Sequence, residues 1–253
     1  MVRVRQSHSN DHNSSETLEW LCSLGLTEKK ISSLMFCANW LKQQQLTDTE
    51  LAVRTGWEMV EILAELRMDA DSLQAALLFP LLEAGLVSTE QLEQDFSANV
   101  QTMLRAVQQM EAIRTIPTGP NQSVNPQQAD NLRRMLLAMV EDVRAVVIKL
   151  AAQICYLREV KNADEETRVL AAKETNAIFA PLANRLGIGQ LKWELEDLAF
   201  RYLHPQLYKQ IAGLLEERRL DREQYMQDFD GAVRQKMAEA NIQAEVYGRP
   251  KHI

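Results

Sequence analysis

Apolar residues recur every three to four positions along nearly the whole chain, and a two-residue alternation shows only near its end, in NIQAEVYG from Asn241 to Gly248. A 3.6-residue period lines apolar side chains along one stripe of a helix, and such a stripe is stable only when packed against others. The chain is therefore expected to fold as packed helices. Composition agrees, because Leu, Ala, Met, Glu, Gln and Arg dominate, while nine glycines and seven prolines in 253 residues are about half the usual share. At this length a core forms without disulfides or a structural metal.

Along the chain, short helices are expected over Thr17 to Cys22 and Lys30 to Leu41, parted at Gly25, with Thr27 as the cap of the second. Another begins near Gly56 and carries Met59, Val60, Ile62, Leu63 and Leu66 on one face. Asp71 is a candidate cap for the next, which Pro80 should kink or break and Gly85 should close. A further apolar pattern opens at Leu92 and Phe96 and continues through Val100, Met103, Leu104, Val107 and Met110.

Residues 115–129 hold three of the seven prolines and no charged side chain, which reads as a surface loop. One long, well-buried helix is expected from Asp130 through Leu132, Leu136, Met139, Val143, Val147, Leu150 and Ile154 to Leu157. A helix from Glu165 toward Phe179 should be interrupted by Pro181, and Gly187 and Gly189 should form a turn. Later helices carry Leu191, Leu195, Leu198 and Tyr202, then Tyr208, Ile211, Ala212 and Leu215, then Tyr225, Phe229, Val233 and Met237. The single strand-like stretch has no partner strand, so the chain is expected to be a piece of a longer protein.

Charge and residue counts narrow the chemistry. Twenty-eight basic and 35 acidic residues give a formal charge of -7 without a long block of either sign, which argues against a broad nucleic-acid surface. Cys22, Cys37 and Cys155 are widely spaced and include no C-x-x-C pair, which fits a reducing compartment, with the cytoplasm the expected location. The N-terminal MVRVRQSHSNDHNSS lacks the apolar run of a signal peptide, and the longest charge-free apolar-rich stretches are too short for a membrane helix of roughly 20 residues.

The four histidines are His8, His12, His204 and His252, so residues 15–200 contain no imidazole for a metal centre. Glu58, Glu61, Glu83, Glu141 and Asp142 could in principle form an all-carboxylate site, but nothing in their spacing makes them converge, and solvated helix faces are the simpler reading. Cys155 lies in an apolar helix with no histidine near it and reads as a small core residue, not a nucleophile. The terminal GRPKHI leaves two readings open: solvated basic surface, or a segment in which Arg249 forks onto phosphate and Lys251 supplies a point charge. The cluster Arg218, Arg219 and Arg222 is interleaved with acids and reads as a salt-bridged helix.

Two segments carry a family resemblance: PLANRLGIGQLKWELEDLAFRYLHPQLYKQI from Pro181 to Ile211, and EVYGRPKHI from Glu245. With DNLRRMLLAMVEDVRAVVIKLA from Asp130, the chain resembles the long bacterial RelA/SpoT-type proteins that make or destroy the alarmone (p)ppGpp, and is most similar to their synthetase-only branch. The resemblance implies a helical HD-type domain over residues 1–190. It also implies the truncated start of an α/β nucleotidyltransferase-like synthetase domain over residues 191–253.

In bifunctional members the first domain is a hydrolase whose metal is held by a histidine, a His-Asp pair and a later aspartate. Carried onto this chain, those positions are Thr55, Phe79 with Pro80, and Ala152. Of the catalytic Glu-Asp pair that follows, Glu83 remains and Ala84 stands in place of the aspartate. The resemblance thus implies a pseudo-hydrolase without a metal. In the synthetase domain it implies nucleotide contacts for Arg249, Lys251 and His252, with Mg²⁺, ATP and GTP or GDP used by the complete protein.

The partners implied are the chain's own synthetase domain, and the ribosome and uncharged tRNA through later domains; no membrane is implied. A non-catalytic module that senses guanine nucleotides in the old cleft, or serves only domain packing, is the alternative.

Overall fold

The computed structural model describes residues 14–44, 47, 49–112, 126–138, 142–217, 219–240 and 242. Every regular element among them is helical. The first six helices are α1 (Ser14–Ser23), α2 (Glu28–Gln43), α3 (Glu50–Glu65), α4 (Ala70–Glu83), α5 (Thr89–Asp95) and α6 (Ala98–Ala112). They are followed by α7 (Pro126–Ala138), α8 (Val143–Glu159), α9 (Glu165–Glu174), α10 (Ala180–Arg185), α11 (Gly189–Leu203), α12 (Pro205–Glu217) and α13 (Arg219–Glu239). Helices α1 to α11 share one continuous apolar core, and no described helix is long and apolar enough to cross a membrane.

Buried side chains run around α4 and α8, so these two occupy the middle of the bundle. The most extensive helix interface among the described elements is α3 on α4. Gly56 makes it possible: a Cβ there would stand 2.5 Å from the Leu77 carbonyl oxygen, so only glycine lets the two backbones approach this closely. Gly56 lies inside α3, which begins at Glu50, six residues before the expected start.

Several helix boundaries differ from expectation for identifiable reasons. The α4 cap is Asp69, whose carboxylate accepts the Ser72 N–H at 2.8 Å; Asp71 lies within the first turn and instead receives the Asn99 amide at 2.9 Å. Pro80 does not end α4, which continues to Glu83 with residues 75–82 buried against their neighbours. Packing here outweighs the loss of one helix hydrogen bond. Gly85, at φ 68°, closes the helix as expected, with Leu86 N–H reaching back to the Leu81 carbonyl.

The apolar run from Leu92 divides into α5 and α6, parted at Phe96 and Ser97. Of the expected loop, residues 126–129 are already helical, with Pro126 at the first position of α7 and Ala129 buried. The remainder of that loop lies outside the described residues.

The single long helix expected from Asp130 to Leu157 is two, α7 and α8. Asp142 starts the second by accepting the Arg144 N–H at 2.9 Å, a competing cap that apolar periodicity does not register.

Pro181 likewise does not break its helix. The five residues Thr175–Phe179 form a π turn that joins α9 to α10. Proline provides no N–H for the Ala177 carbonyl four residues earlier, and Arg133 Nη1 from α7 donates to that oxygen at 3.0 Å. Gly187, at φ 72°, supplies the expected turn, while Gly189 is already the first residue of α11; His204 separates α11 from α12, which Pro205 begins. The strand-like stretch lies outside the described residues except for Ile242.

Candidate functional site

One cleft opens where α3, α4 and α8 meet. Each helix contributes residues at helical spacing. Thr55 and Met59 come from α3; Phe79, Pro80 and Glu83 from α4; and Lys149, Ala152, Gln153, Tyr156 and Glu159 from α8. The structure thus brings together Thr55, Phe79, Pro80, Glu83 and Ala152, five positions named from the sequence. Ala84 is the exposed C-terminal cap of α4 and does not line the cleft.

The cleft's chemistry follows from those side chains. Phe79 is 1% exposed, Pro80 is buried, and Ala152 presents only a methyl group. Thr55 supplies a neutral hydroxyl, and Glu83 and Glu159 are exposed carboxylates at the rim. Among the described residues no group of three or more His, Cys, Asp or Glu side chains could hold a metal ion. The donor set therefore does not fit the divalent cation of a metal-dependent hydrolase, which needs several anionic or imidazole ligands converging on one point.

Lys149 is the cationic member of the cleft. Its Nζ lies 5.8 Å from the centre of the Phe79 ring, and the residue is only 4% exposed. Burial pushes its pKa below the ordinary lysine value, partly opposed by the carboxylates of Glu83 and Glu174. It also lines a smaller hollow whose other walls include Met110, Leu132, Leu136, Ile178 and Phe179.

Behind the cleft, buried Gln153 donates through Nε2 to Thr175 Oγ1 at 3.0 Å, and that hydroxyl donates to the Ala171 carbonyl at 2.7 Å. The cleft wall is in this way fastened to the π turn.

Sequence reasoning did not single out Lys149, Gln153, Tyr156 or Glu159 as lining residues. Periodicity could have found them, since they lie three residues before and one, four and seven residues after Ala152 on one helical face. Cys155 is buried, as expected, and burial pushes its thiol pKa up. Arg249, Lys251 and His252 lie outside the described residues, as does Glu141.

The chain belongs to the HD-domain family: the family's model, described as HD domain, matches residues 33–189. Within that family, its full length matches proteins named GTP pyrophosphokinase. It is 53% identical over 257 residues to the one from Escherichia coli K12, covering 100% of this chain and 34% of that protein. The Photobacterium angustum protein is 48% identical over 258 residues, with 100% and 34% covered. That of Haemophilus influenzae is 47% identical over 260 residues, with 100% and 35% covered. The chain thus spans about a third of the length of these relatives.

Proposed function

We propose that this chain is the amino-terminal pseudo-hydrolase region of a GTP pyrophosphokinase, in which residues 1–190 form a catalytically silent HD-type domain and residues 191–253 begin the synthetase. The complete protein would transfer pyrophosphate from ATP to the 3′-hydroxyl of GTP or GDP, making (p)ppGpp in the stringent response. The observation that carries the reading is the cleft. Thr55, Phe79, Pro80 and Ala152 line one hollow at positions where hydrolytic relatives would place metal ligands, and none supplies an anionic or imidazole donor. Water activation by a metal has no basis in this donor set, and Glu83 alone does not replace it.

With hydrolysis lost, the domain's role is to restrain or support the synthetase that follows. Arg249 and Lys251 would contact ATP by charge and forked hydrogen bonds, with His252 lining the same site. Mg²⁺ would serve the synthetase; ribosome and uncharged tRNA would be contacted by later domains, in the cytoplasm. The test is (p)ppGpp formation from ATP and GTP by the full-length protein that contains this chain. Synthesis that is lost in Arg249→Ala is expected; absence of synthesis under ribosome-activated conditions contradicts the reading.

A further inference from the structure

A cluster of charged side chains lies at the junction of α7 and α10. Asp130 of α7 receives three guanidinium groups: Arg134 Nη2 at 2.7 Å on Oδ2, Arg185 Nη2 at 2.8 Å on Oδ1, and Arg133 Nη2 at 3.4 Å on Oδ1. Among the described residues these three arginines share one carboxylate, so the cluster itself carries two further positive charges. Partial burial would raise the Asp130 pKa, yet the charges acting on it most strongly are these same arginines, and they hold it below the ordinary carboxylate range.

Arg133 is the anchored member. Its Nη1 is committed to the Ala177 carbonyl in the π turn, its side chain is 17% exposed, and its Nε is buried without a hydrogen-bond partner. The other two present their forks to solvent, with side-chain exposures of 71% for Arg134 and 43% for Arg185. The Asp130 carboxylate itself demonstrates that an oxyanion fits between them.

We propose that Arg133, Arg134 and Arg185 form a binding site for a doubly charged phosphoryl anion, such as inorganic pyrophosphate or the diphosphate end of a nucleotide. The two residual charges match a phosphoryl dianion, and forked guanidinium donors match its oxygens. The site is separate from the cleft, whose rim carboxylates Glu83 and Glu159 repel anions. It also uses none of the residues near the chain end. Asp130 acts as the resident competitor, occupying the arginines until a ligand of higher charge displaces it.

The test is calorimetric titration of the 253-residue chain with inorganic pyrophosphate at low ionic strength, where surface charge is least screened. Saturable binding is expected in the wild type. Asp130→Asn should bind at least about threefold more tightly, because the competing charge is gone. The double variant Arg134→Ala with Arg185→Ala should lose about tenfold or more, as befits two charge-assisted hydrogen-bond donors. Both altered arginines are exposed, so the fold is retained, which circular dichroism checks.

Absence of binding in both wild type and Asp130→Asn overturns the proposal, as does unchanged affinity in the double variant. Loss of binding on Arg249→Ala with Lys251→Ala also overturns it, by placing the ligand at the chain end. GDP titration separates the two sources of the anion. Affinity equal to that of pyrophosphate assigns recognition to the phosphoryl group. Tighter binding that the arginine double variant still abolishes assigns it to a nucleoside diphosphate; both retain the arginines as the site.

Discussion

Single residues decide both the packing and the chemistry of this chain. Gly56 is the clearest case, because adding one methyl there drives a carbon against the Leu77 carbonyl at 2.5 Å. Gly56→Ala is expected to destabilise the fold by about 1–3 kcal/mol through a forced shift of α3 on α4, read as a lowered urea midpoint. The cysteines offer a second check. Cys37 and Cys155 are buried and Cys22 is exposed, and burial pushes the Cys37 thiol up to about 12. Ellman's reagent should therefore titrate one thiol in the native chain and three in urea; three fast thiols in the native state would contradict the buried placement. In the cleft, combining Thr55→His, Phe79→His, Pro80→Asp and Ala152→Asp is expected to confer Mn²⁺ retention that the parent chain lacks, measured by elemental analysis. A folded quadruple variant without retained metal would show that these positions do not converge as ligands.

At the scale of elements, the energetics lie in how helices begin and how they meet. Arg144 ties two helix starts together: its Nη1 reaches the α4 cap Asp69 at 2.7 Å, and its Nε reaches the α8 cap Asp142 at 2.8 Å. The Arg144 hydrogen bond is the foremost cause holding Asp142 below the usual aspartate range. For Asp69, burial works upward, but the Ser72 N–H and Arg144 outweigh it and the shift is again downward. Carboxylates with depressed folded pKa values contribute stability that is complete above the unfolded value near 3.9 and is lost as pH falls through the folded value. Acid should therefore weaken the fold below about pH 4, and Asp142→Asn should cost about 1 kcal/mol at pH 7 while flattening that acid limb. Urea midpoints at pH 7 and pH 3 check both; an unchanged acid limb in the variant would remove Asp142 from the account.

The same scale explains what could be read from the sequence. Amphipathic periodicity located nearly every helix, because a core-facing stripe is a local property of the chain. Boundaries failed where a tertiary partner intervened. Pro80 and Pro181 look like helix breakers until burial, the π turn and Arg133 are in place, and the apolar run through Leu157 conceals the cap at Asp142. Thr55, Phe79, Pro80 and Ala152 are nameable as site positions only through family resemblance, and Glu83 is one carboxylate among several, since nothing in their spacing says that three separate helices bring them to one cleft. Lys149 was passed over because a lone lysine in an apolar helix carries no local signal of burial.

At the scale of the whole molecule, a bundle whose cleft gathers no three His, Cys, Asp or Glu side chains among the described residues is followed by a chain end that resembles the start of a synthetase. If the bundle restrains that synthetase, deleting residues 1–180 from the full-length protein should raise basal (p)ppGpp synthesis, whereas a propping role should lower it. Equal basal synthesis would mean that the bundle controls nothing in the next domain. The central claim, that this HD-domain member does not hydrolyse the alarmone, is tested most directly by incubating the purified chain with ppGpp and Mn²⁺ while measuring its bound metal. The prediction is no release of GDP and pyrophosphate and no retained metal. Turnover that copurifies with the chain would contradict it and would point to a carboxylate site around Glu83.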